Sequence, residues 1–258
     1  MFPYKDENPR FHQPTVTWAL VGLNVAAWVL IQGMGTEPAL THSVCRLGLV
    51  PGSILGHLPP DTVIDLGRAR CAVGGTGVYT IVTSMFMHGG WFHLLGNMLF
   101  LWVFGDNVED SMGHGRFAVF YLLGGLAAAT LQMAISPNSA VPMVGASGAI
   151  SGVLGAYVIL YPRVRVRVLI FLGIFITTIV VPAYLMLGYW FLLQLLGGLP
   201  ALAGGQSGGG VAFWAHIGGF VSGALLIAVF KDPARVERHR VAIELLERQR
   251  RQYRSVGY

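Results

Sequence analysis

Long apolar stretches constrain the fold of this sequence more than any other feature. A membrane-spanning helix needs roughly 20 predominantly apolar residues, and candidate spans lie at 18–34, 92–108, 117–135, 147–161, 183–199 and 211–230. The chain of 258 residues is 54% hydrophobic and only 11% charged, and it contains 35 glycines. This composition is unusual for a soluble domain and ordinary for packed membrane helices. The sequence therefore predicts an all-α polytopic membrane protein.

The positions of Lys and Arg predict the orientation of these spans, because basic residues collect on the cytoplasmic side. They precede the first span, follow the fourth and fill the C-terminal tail, which predicts two cytoplasmic termini. The predicted parts are an N-terminal tail (1–16), a membrane domain (17–230) with a long extracytoplasmic loop (about 35–91), and a basic, helical C-terminal tail (231–258). The basic residues of that tail favour contact with anionic lipid. Because acidic residues are mixed among them, we expect no nucleic acid partner.

Ser147 and His216 each stand at the start of an apolar segment. Ionisable side chains inside membrane segments are costly and usually functional. A serine and a histidine that meet can act as a nucleophile and its general base. Strings of small residues such as those around Ser147 also occur simply because they pack helices, so both interpretations stand at this point.

If Ser147 and His216 meet, their helices must begin on the same side of the membrane, so an odd number of spans separates them. Two apolar segments, 164–181 and 183–199, lie between these two helices, so only one of them can cross the membrane. The segment 164–181 contains Arg-Val alternation with period two, followed by β-branched residues, which favours extended structure. We therefore expect an interfacial or cytoplasmic β-hairpin at 164–181, with its bend at Gly173, and six spans in total.

His93 and Asn97 are four residues apart, so they share one face of a helix. Both side chains can converge on one oxygen atom, as in an oxyanion hole. Polar side chains of this kind also hydrogen-bond between membrane helices, and this alternative stays open. A metal site formed by His88, His93 and His216 is less favoured, because no carboxylate accompanies these residues. We expect neither a metal nor another cofactor.

Three motifs together resemble the rhomboid family of intramembrane serine proteases. They are His88, His93 and Asn97 in the first motif, Gly145 to Gly148 in the second, and Ala215, His216, Gly219 and Gly223 in the third. Each motif alone is weakly specific, whereas the ordered set is specific. The resemblance covers residues 18–230 and implies a rhomboid-like bundle of six transmembrane helices, as the topology argument also predicts.

The resemblance implies that Ser147 attacks a peptide bond while His216 transfers the proton, without an acidic third residue. It further implies that His93, Asn97 and the Ser147 backbone N–H stabilise the oxyanion, and that His88 orders the adjoining loop. The expected function is a serine endopeptidase that cleaves transmembrane segments of other membrane proteins, chiefly single-pass ones. The expected location is a bacterial cytoplasmic membrane, with the site open to the extracytoplasmic face. The alternatives are an inactive relative that binds or escorts membrane clients and, less favoured, a transporter.

Glycines at small-xxx-small spacing support a close contact between the two helices that carry the serine and the histidine. Gly148 and Gly152 follow Ser147, and Gly219 and Gly223 follow His216. Such spacing lets helix backbones approach closely. We therefore expect these glycines to bring the Ser147 hydroxyl within hydrogen-bonding distance of His216.

Three positions depart from patterns common in the rhomboid family. Ser151 stands where many members carry an aromatic residue that stacks on the histidine, and Tyr79 and Thr80 replace a Trp-Arg pair. Either Ser151 hydrogen-bonds His216, or an aromatic residue from elsewhere packs against it. The sequence leaves these alternatives open.

Cys45 and Cys71 both fall in the predicted extracytoplasmic loop. Two cysteines on that side of a membrane can form a disulfide, which would close the loop. Two unpaired thiols are the equally weighted alternative, because pairing depends on a geometry that the sequence does not contain.

Overall fold

The computed structural model of the chain describes residues 2–65, 70–172, 175–202 and 211–255, without the side chains of 171–172 and 253–255. Its helices are α1 (Thr15–Leu30), α2 (Ala39–Leu47), α3 (Pro51–Ile54), α4 (Thr80–Thr83), α5 (Trp91–Met112), α6 (His114–Ile135), α7 (Ser147–Leu160), α8 (Ala183–Leu202), α9 (Phe213–Phe230) and α10 (Pro233–Ser255). Its strands are β1 (Phe2–Asp6), β2 (Val63–Asp65), β3 (Arg70–Ala72), β4 (Arg165–Leu172) and β5 (Phe175–Pro182). Short 3₁₀ turns lie at Gly33–Gly35 and Ser84–Phe86.

The predicted helical character is confirmed, and each predicted span overlaps one of the longer helices. Within the described ranges, α6, α8 and α9 are long and apolar enough to cross a membrane, while α1 and α7 are apolar but shorter. Helix α5 is in neither group, and its last turns carry Asp106, Glu109 and Asp110. Because length and composition identify only three of the described helices as candidate spans, the count of six stays a prediction.

Helices α7 and α9 touch through their backbones. A Cβ atom built on Gly219 would lie 2.0 Å from the Gly148 carbonyl oxygen, and one on Gly223 would lie 1.9 Å from the Gly152 carbonyl oxygen. No side chain fits at such distances, so only glycine permits this approach. Helix α6 packs along the same pair, where Gly124 lies opposite Gly152. The centre of the bundle is therefore held by van der Waals contact between backbones, as is common among membrane helices.

A carboxylate from α5 fixes the start of α1. Pro14, at the N-cap of α1, provides no side-chain hydrogen bond. Instead, Glu109 accepts hydrogen bonds from the Val16 and Thr17 backbone N–H groups at 2.9 and 2.7 Å, and from the Thr17 hydroxyl at 2.6 Å. A negative group at a helix N-terminus satisfies free N–H donors and complements the helix dipole.

The segment predicted as a hairpin contains two antiparallel strands. In the register, Val166 lies opposite Val181 and Val168 opposite Ile179. Val166 and Val168 are buried, so alternation places the valines against the helices and the arginines outside. The predicted bend at Gly173 lies outside the described residues.

Strand β1 was not expected, so the all-α prediction is wrong in this detail. Strand β1 pairs with β4 and makes a three-stranded sheet in the order β1-β4-β5.

The N-terminal and C-terminal segments meet at this sheet. Glu7 forms ion pairs with Arg165 and Arg167 at 3.6 and 2.9 Å, and with Arg250 of α10 at 2.7 Å. The segment predicted as an N-terminal tail thus contacts both the sheet and the C-terminal helix. A second antiparallel pair, β2 with β3, lies in the predicted extracytoplasmic loop.

Asp6, the last residue of β1, is half-buried where this strand meets the helices. It accepts hydrogen bonds from the Tyr157 hydroxyl and from the Asn107 side-chain amide. Burial, and then the nearby charge of Asp106, raises the pKa of Asp6 from its ordinary 3.8 to about 7. The folded protein therefore binds a proton at Asp6 over a pH range in which an unfolded chain has released it, and stability falls as pH rises through that range.

We predict that Asp6→Asn removes part of the pH dependence of stability. The variant keeps an oxygen acceptor but cannot ionise, so its unfolding midpoint should rise relative to wild type between about pH 5 and about pH 7, and the gain should then level off. Thermal unfolding in detergent across this range measures the effect. Glu244→Gln, at an exposed site on α10, is the control. A constant difference between Asp6→Asn and wild type at every pH would contradict the role of Asp6.

Candidate active site

Ser147 and His216 meet across the α7–α9 contact. Ser147 is the first residue of α7, and His216 lies in the first turn of α9. The His216 Nε2 atom lies 2.8 Å from the Ser147 Oγ atom. This is the hydrogen-bonding distance expected between a nucleophile and its general base. The backbone contact at Gly148 and Gly219 lies directly beside this pair. The structure therefore brings together the two residues that the sequence selects as nucleophile and base.

His93 presents an N–H group to the same region. The Gly89 backbone N–H donates to His93 Nδ1 at 3.3 Å, so in the neutral ring Nδ1 accepts and the proton belongs to Nε2. Nε2 lies 2.6 Å from the point where a Cβ of Gly145 would be. His93 thus directs a donor at the backbone just before Ser147.

Asn97 directs a second donor at this point. Its Nδ2 atom lies 3.5 Å from the same Cβ position of Gly145. Nδ2 is buried, and over the described residues it has no hydrogen-bond partner. A buried donor without a partner is costly, and such a group is common where a ligand or reacting atom supplies the missing acceptor. Helix α7 adds the free backbone N–H groups of its first turn.

Gly145 keeps this space open. Its φ angle is +125°, a conformation that residues with a side chain rarely adopt. A side chain at this position would also collide with the His93 ring. The Gly145 backbone N–H donates to the Ser84 carbonyl oxygen at 2.9 Å, which fixes the segment that leads into Ser147.

A cavity of about 40 Å³ lies next to Ser147, lined by residues that include Ser84, Gly145, Ala128 and Ala215. A buried water needs roughly 10 to 15 Å³ of such volume. The cavity is therefore large enough for a few water molecules beside the serine hydroxyl.

His88 supports the loop that precedes α5. The side chain of Gln32, two residues after the end of α1, accepts from the His88 backbone N–H and donates to the His88 carbonyl oxygen, both at 2.8 Å. The His88 ring is buried and packs edge-on against the His93 ring, with centroids 5.1 Å apart. His88 therefore contacts an oxyanion candidate but not Ser147 or His216. Over the described ranges, no group of three or more His, Cys, Asp or Glu residues could hold a metal ion.

Two residues of α8 contact His216, and neither belongs to a motif. The centroids of the Trp190 and His216 rings lie 5.9 Å apart, and the two ring planes are tilted by 36° to each other. The Gln194 Oε1 atom lies 2.8 Å from His216 Nδ1. Ser151 donates to the Ser147 carbonyl oxygen at 2.6 Å and not to His216. The sequence does carry one signal for this support of His216: in an otherwise apolar helix, the amide side chain of Gln194 follows Trp190 by four residues, so the two share a helical face.

A disulfide connects two parts of the loop that is predicted to be extracytoplasmic. Cys45 of α2 and Cys71 of β3 form a disulfide with a Cα–Cα distance of 5.5 Å. At the positions that depart from the family pattern, Thr80 donates to the Gly77 carbonyl oxygen at 2.8 Å and Tyr79 donates to the Arg46 carbonyl oxygen at 3.3 Å. Side-chain hydrogen bonds to backbone carbonyl oxygens thus fix this loop.

Comparison with known proteins identifies the family. The Rhomboid domain family matches residues 75–232, more than half of the chain. Rhomboid protease GluP of Bacillus subtilis is 28% identical over 222 residues, which are 86% of this chain and 36% of that protein. Rhomboid-like protein 11, chloroplastic, of Arabidopsis thaliana is 31% identical over 153 residues, 58% of this chain and 51% of that protein. Rhomboid protein 1, mitochondrial, of Saccharomyces cerevisiae is 28% identical over 164 residues, 62% of this chain and 40% of that protein.

The chain belongs to the rhomboid family. It is therefore an integral membrane protein, of a family whose members are generally intramembrane serine proteases that act on membrane proteins within the bilayer. The matched range contains all three motifs of the candidate site. The chain spans only about a third to a half of the length of these relatives.

We predict that Gly219→Ala destabilises the protein. Its Cβ atom would overlap the Gly148 carbonyl oxygen, so α7 and α9 must move apart, at a cost of about 1 to 3 kcal/mol. Thermal unfolding in detergent measures the loss. The matched control is Gly22→Ala in α1, where a Cβ meets nothing within 4 Å and helix propensity favours alanine by about 1 kcal/mol. Equal midpoints for the two variants would disprove a backbone contact at Gly219.

Proposed function

We propose that this protein is an intramembrane serine endopeptidase that uses Ser147 and His216 as a catalytic dyad. The observation that carries the proposal is the 2.8 Å contact between Ser147 Oγ and His216 Nε2. The two residues belong to different helices and are separated by 69 positions in sequence. A serine and an imidazole held in this way have the geometry of a nucleophile with its general base.

The dyad would carry out acyl transfer in two stages. Ser147 Oγ attacks the carbonyl carbon of the scissile peptide bond while His216 Nε2 takes the hydroxyl proton. The tetrahedral intermediate collapses, the C–N bond breaks, and His216 returns the proton to the leaving amine. A water molecule then attacks the acyl-enzyme with His216 again acting as base, which releases the carboxylic acid and restores Ser147. The cavity beside Ser147 is large enough to admit that water.

The oxyanion of the intermediate would be stabilised by His93 Nε2–H, Asn97 Nδ2–H and the Ser147 backbone N–H. The first two donors converge on Gly145, and the Asn97 donor has no partner within the described residues. One such donor typically contributes about 3 to 4 kcal/mol to transition-state stabilisation. His88 would act indirectly by packing against His93.

The proposed topology has six spans, namely α1 and α5 to α9, with both termini in the cytoplasm. Ser147 and His216 stand at the starts of α7 and α9, so this topology places them near the extracytoplasmic face, where water is available. The strands β4 and β5 and the helix α10 would lie on the cytoplasmic side, where arginines accumulate. We expect the natural setting to be a bacterial cytoplasmic membrane.

The proposed substrates are transmembrane segments of other membrane proteins, chiefly single-pass helices that unwind readily. A peptide bond inside an intact helix is shielded by its hydrogen bonds and by neighbouring side chains. A segment that unwinds near the extracytoplasmic face exposes its carbonyl groups to Ser147. We expect no cofactor, because a serine, a base and oxyanion donors suffice for this chemistry.

We predict that the purified protein cleaves a single-span reporter protein in proteoliposomes and that Ser147→Ala abolishes the cleavage. Loss of the nucleophile should lower kcat by at least about 10³-fold. Gel analysis gives the rate, and mass spectrometry of the products locates the cut. Thermal unfolding of the variant shows that the fold is retained. Equal cleavage by wild type and Ser147→Ala would rule out the serine mechanism, and intact reporter in both would favour a relative that binds clients without cleaving them.

A further inference from the structure

Helix α8 presents a second polar contact to the histidine of the dyad. The Gln194 Oε1 atom lies 2.8 Å from His216 Nδ1, on the side of the ring away from Ser147. Gln194 is buried, with 8% of its surface exposed. Its Nε2 atom donates to the backbone carbonyl oxygen of Trp190 at 3.2 Å. Both ends of the Gln194 amide therefore have partners.

These two contacts determine which end of the amide faces the ring. In the opposite orientation, the Gln194 oxygen would face the Trp190 carbonyl oxygen, and two acceptors would meet without a proton between them. The amide oxygen must therefore face His216. An oxygen at this position can only accept, so Nδ1 carries the proton of the neutral imidazole. The lone pair of Nε2 then faces the Ser147 hydroxyl, as a general base requires.

We propose that Gln194 is a positioning residue that holds His216 in the Nδ1–H tautomer and fixes the orientation of its ring. This inference rests on the proposed function of the Ser147–His216 dyad. In serine proteases with a triad, a carboxylate on Nδ1 performs this task. Here a neutral amide performs it without introducing a charge into an apolar helix, where charge is costly.

Trp190 completes the support from the same helix. It precedes Gln194 by four residues, so the two side chains share one face of α8. The Trp190 ring packs against the His216 ring, with centroids 5.9 Å apart, and its carbonyl oxygen anchors the Gln194 amide. One helical face thus holds the ring by packing and by a hydrogen bond, while Ser151 is engaged with the backbone of α7.

The kinetic test compares substitutions of two buried glutamines. Gln194→Met keeps the length of the side chain but removes the acceptor, whereas Gln194→Glu keeps an acceptor. The matched control is Gln132→Met in α6: Gln132 is also buried, and it accepts from the Ala215 backbone N–H at 3.2 Å, beside His216 but not on its ring. We expect Gln194→Met to lower kcat by about 10- to 100-fold without changing KM. Gln194→Glu should recover most of kcat, and Gln132→Met should stay near wild type.

A spectroscopic measurement separates positioning from a general loss of structure. In protein labelled with ¹⁵N-histidine, the ¹⁵N shifts of His216 report which ring nitrogen is protonated, and a His216→Ala spectrum assigns the signals. Wild type and Gln194→Glu should show a protonated Nδ1, whereas Gln194→Met should show a mixture of tautomers.

The outcomes distinguish this inference from the proposed function. An Nε2–H tautomer in wild type, unchanged kcat in Gln194→Met, equal losses in Gln194→Met and Gln132→Met, or equal losses in the Met and Glu variants would each overturn the role of Gln194. If wild type fails to cleave, or if Ser147→Ala cleaves as well as wild type, the proposed function fails. The tautomer measurement needs no activity, so it still decides whether Gln194 sets the protonation of His216.

Discussion

The backbone contact between α7 and α9 is the constraint on which the rest of the structure depends. Apolar side chains gain little from leaving lipid, so membrane helices associate chiefly through close packing and hydrogen bonds. At Gly219 and Gly223 the packing is so close that carbonyl oxygens of α7 occupy the space of a side chain. The same contact sets the separation of Ser147 and His216, because each stands in the first turn of one of these helices. The same glycines therefore determine both how the two helices pack and how far apart Ser147 and His216 lie.

The polar groups around this contact fall into two classes. His216 is partnered on both ring nitrogens, by Ser147 and Gln194, so its position and tautomer are determined before any substrate arrives. Asn97 instead carries a buried donor with no partner among the described residues. A fixed base beside an unsatisfied donor is the arrangement expected where a negative charge develops during a reaction. Preorganisation of this kind removes reorganisation from the chemical step.

The sequence predicts the local part of this picture well and the tertiary part poorly. Apolar segment length and the three motifs were sufficient to select Ser147, His216 and the helices that carry them. Arg-Val alternation also predicted extended structure near Arg165. Strand β1 could not be predicted in this way, because it exists through pairing with β4, more than 150 residues away. The sequence left open whether Ser151 hydrogen-bonds His216 or an aromatic residue from elsewhere packs against it. The structure shows Trp190 and Gln194 of α8 at the ring, and their identity depends on tertiary packing that the sequence does not contain.

Reactivity of Ser147 towards a fluorophosphonate tests the central claim most directly, since it needs no substrate. The serine oxygen attacks phosphorus, fluoride leaves, and mass spectrometry locates the adduct. If His216 activates Ser147 across the α7–α9 contact, wild type should form one adduct on Ser147, and His216→Ala should react at least about 10³-fold more slowly while remaining folded. An adduct on another residue, or equal rates for wild type and His216→Ala, would contradict the account.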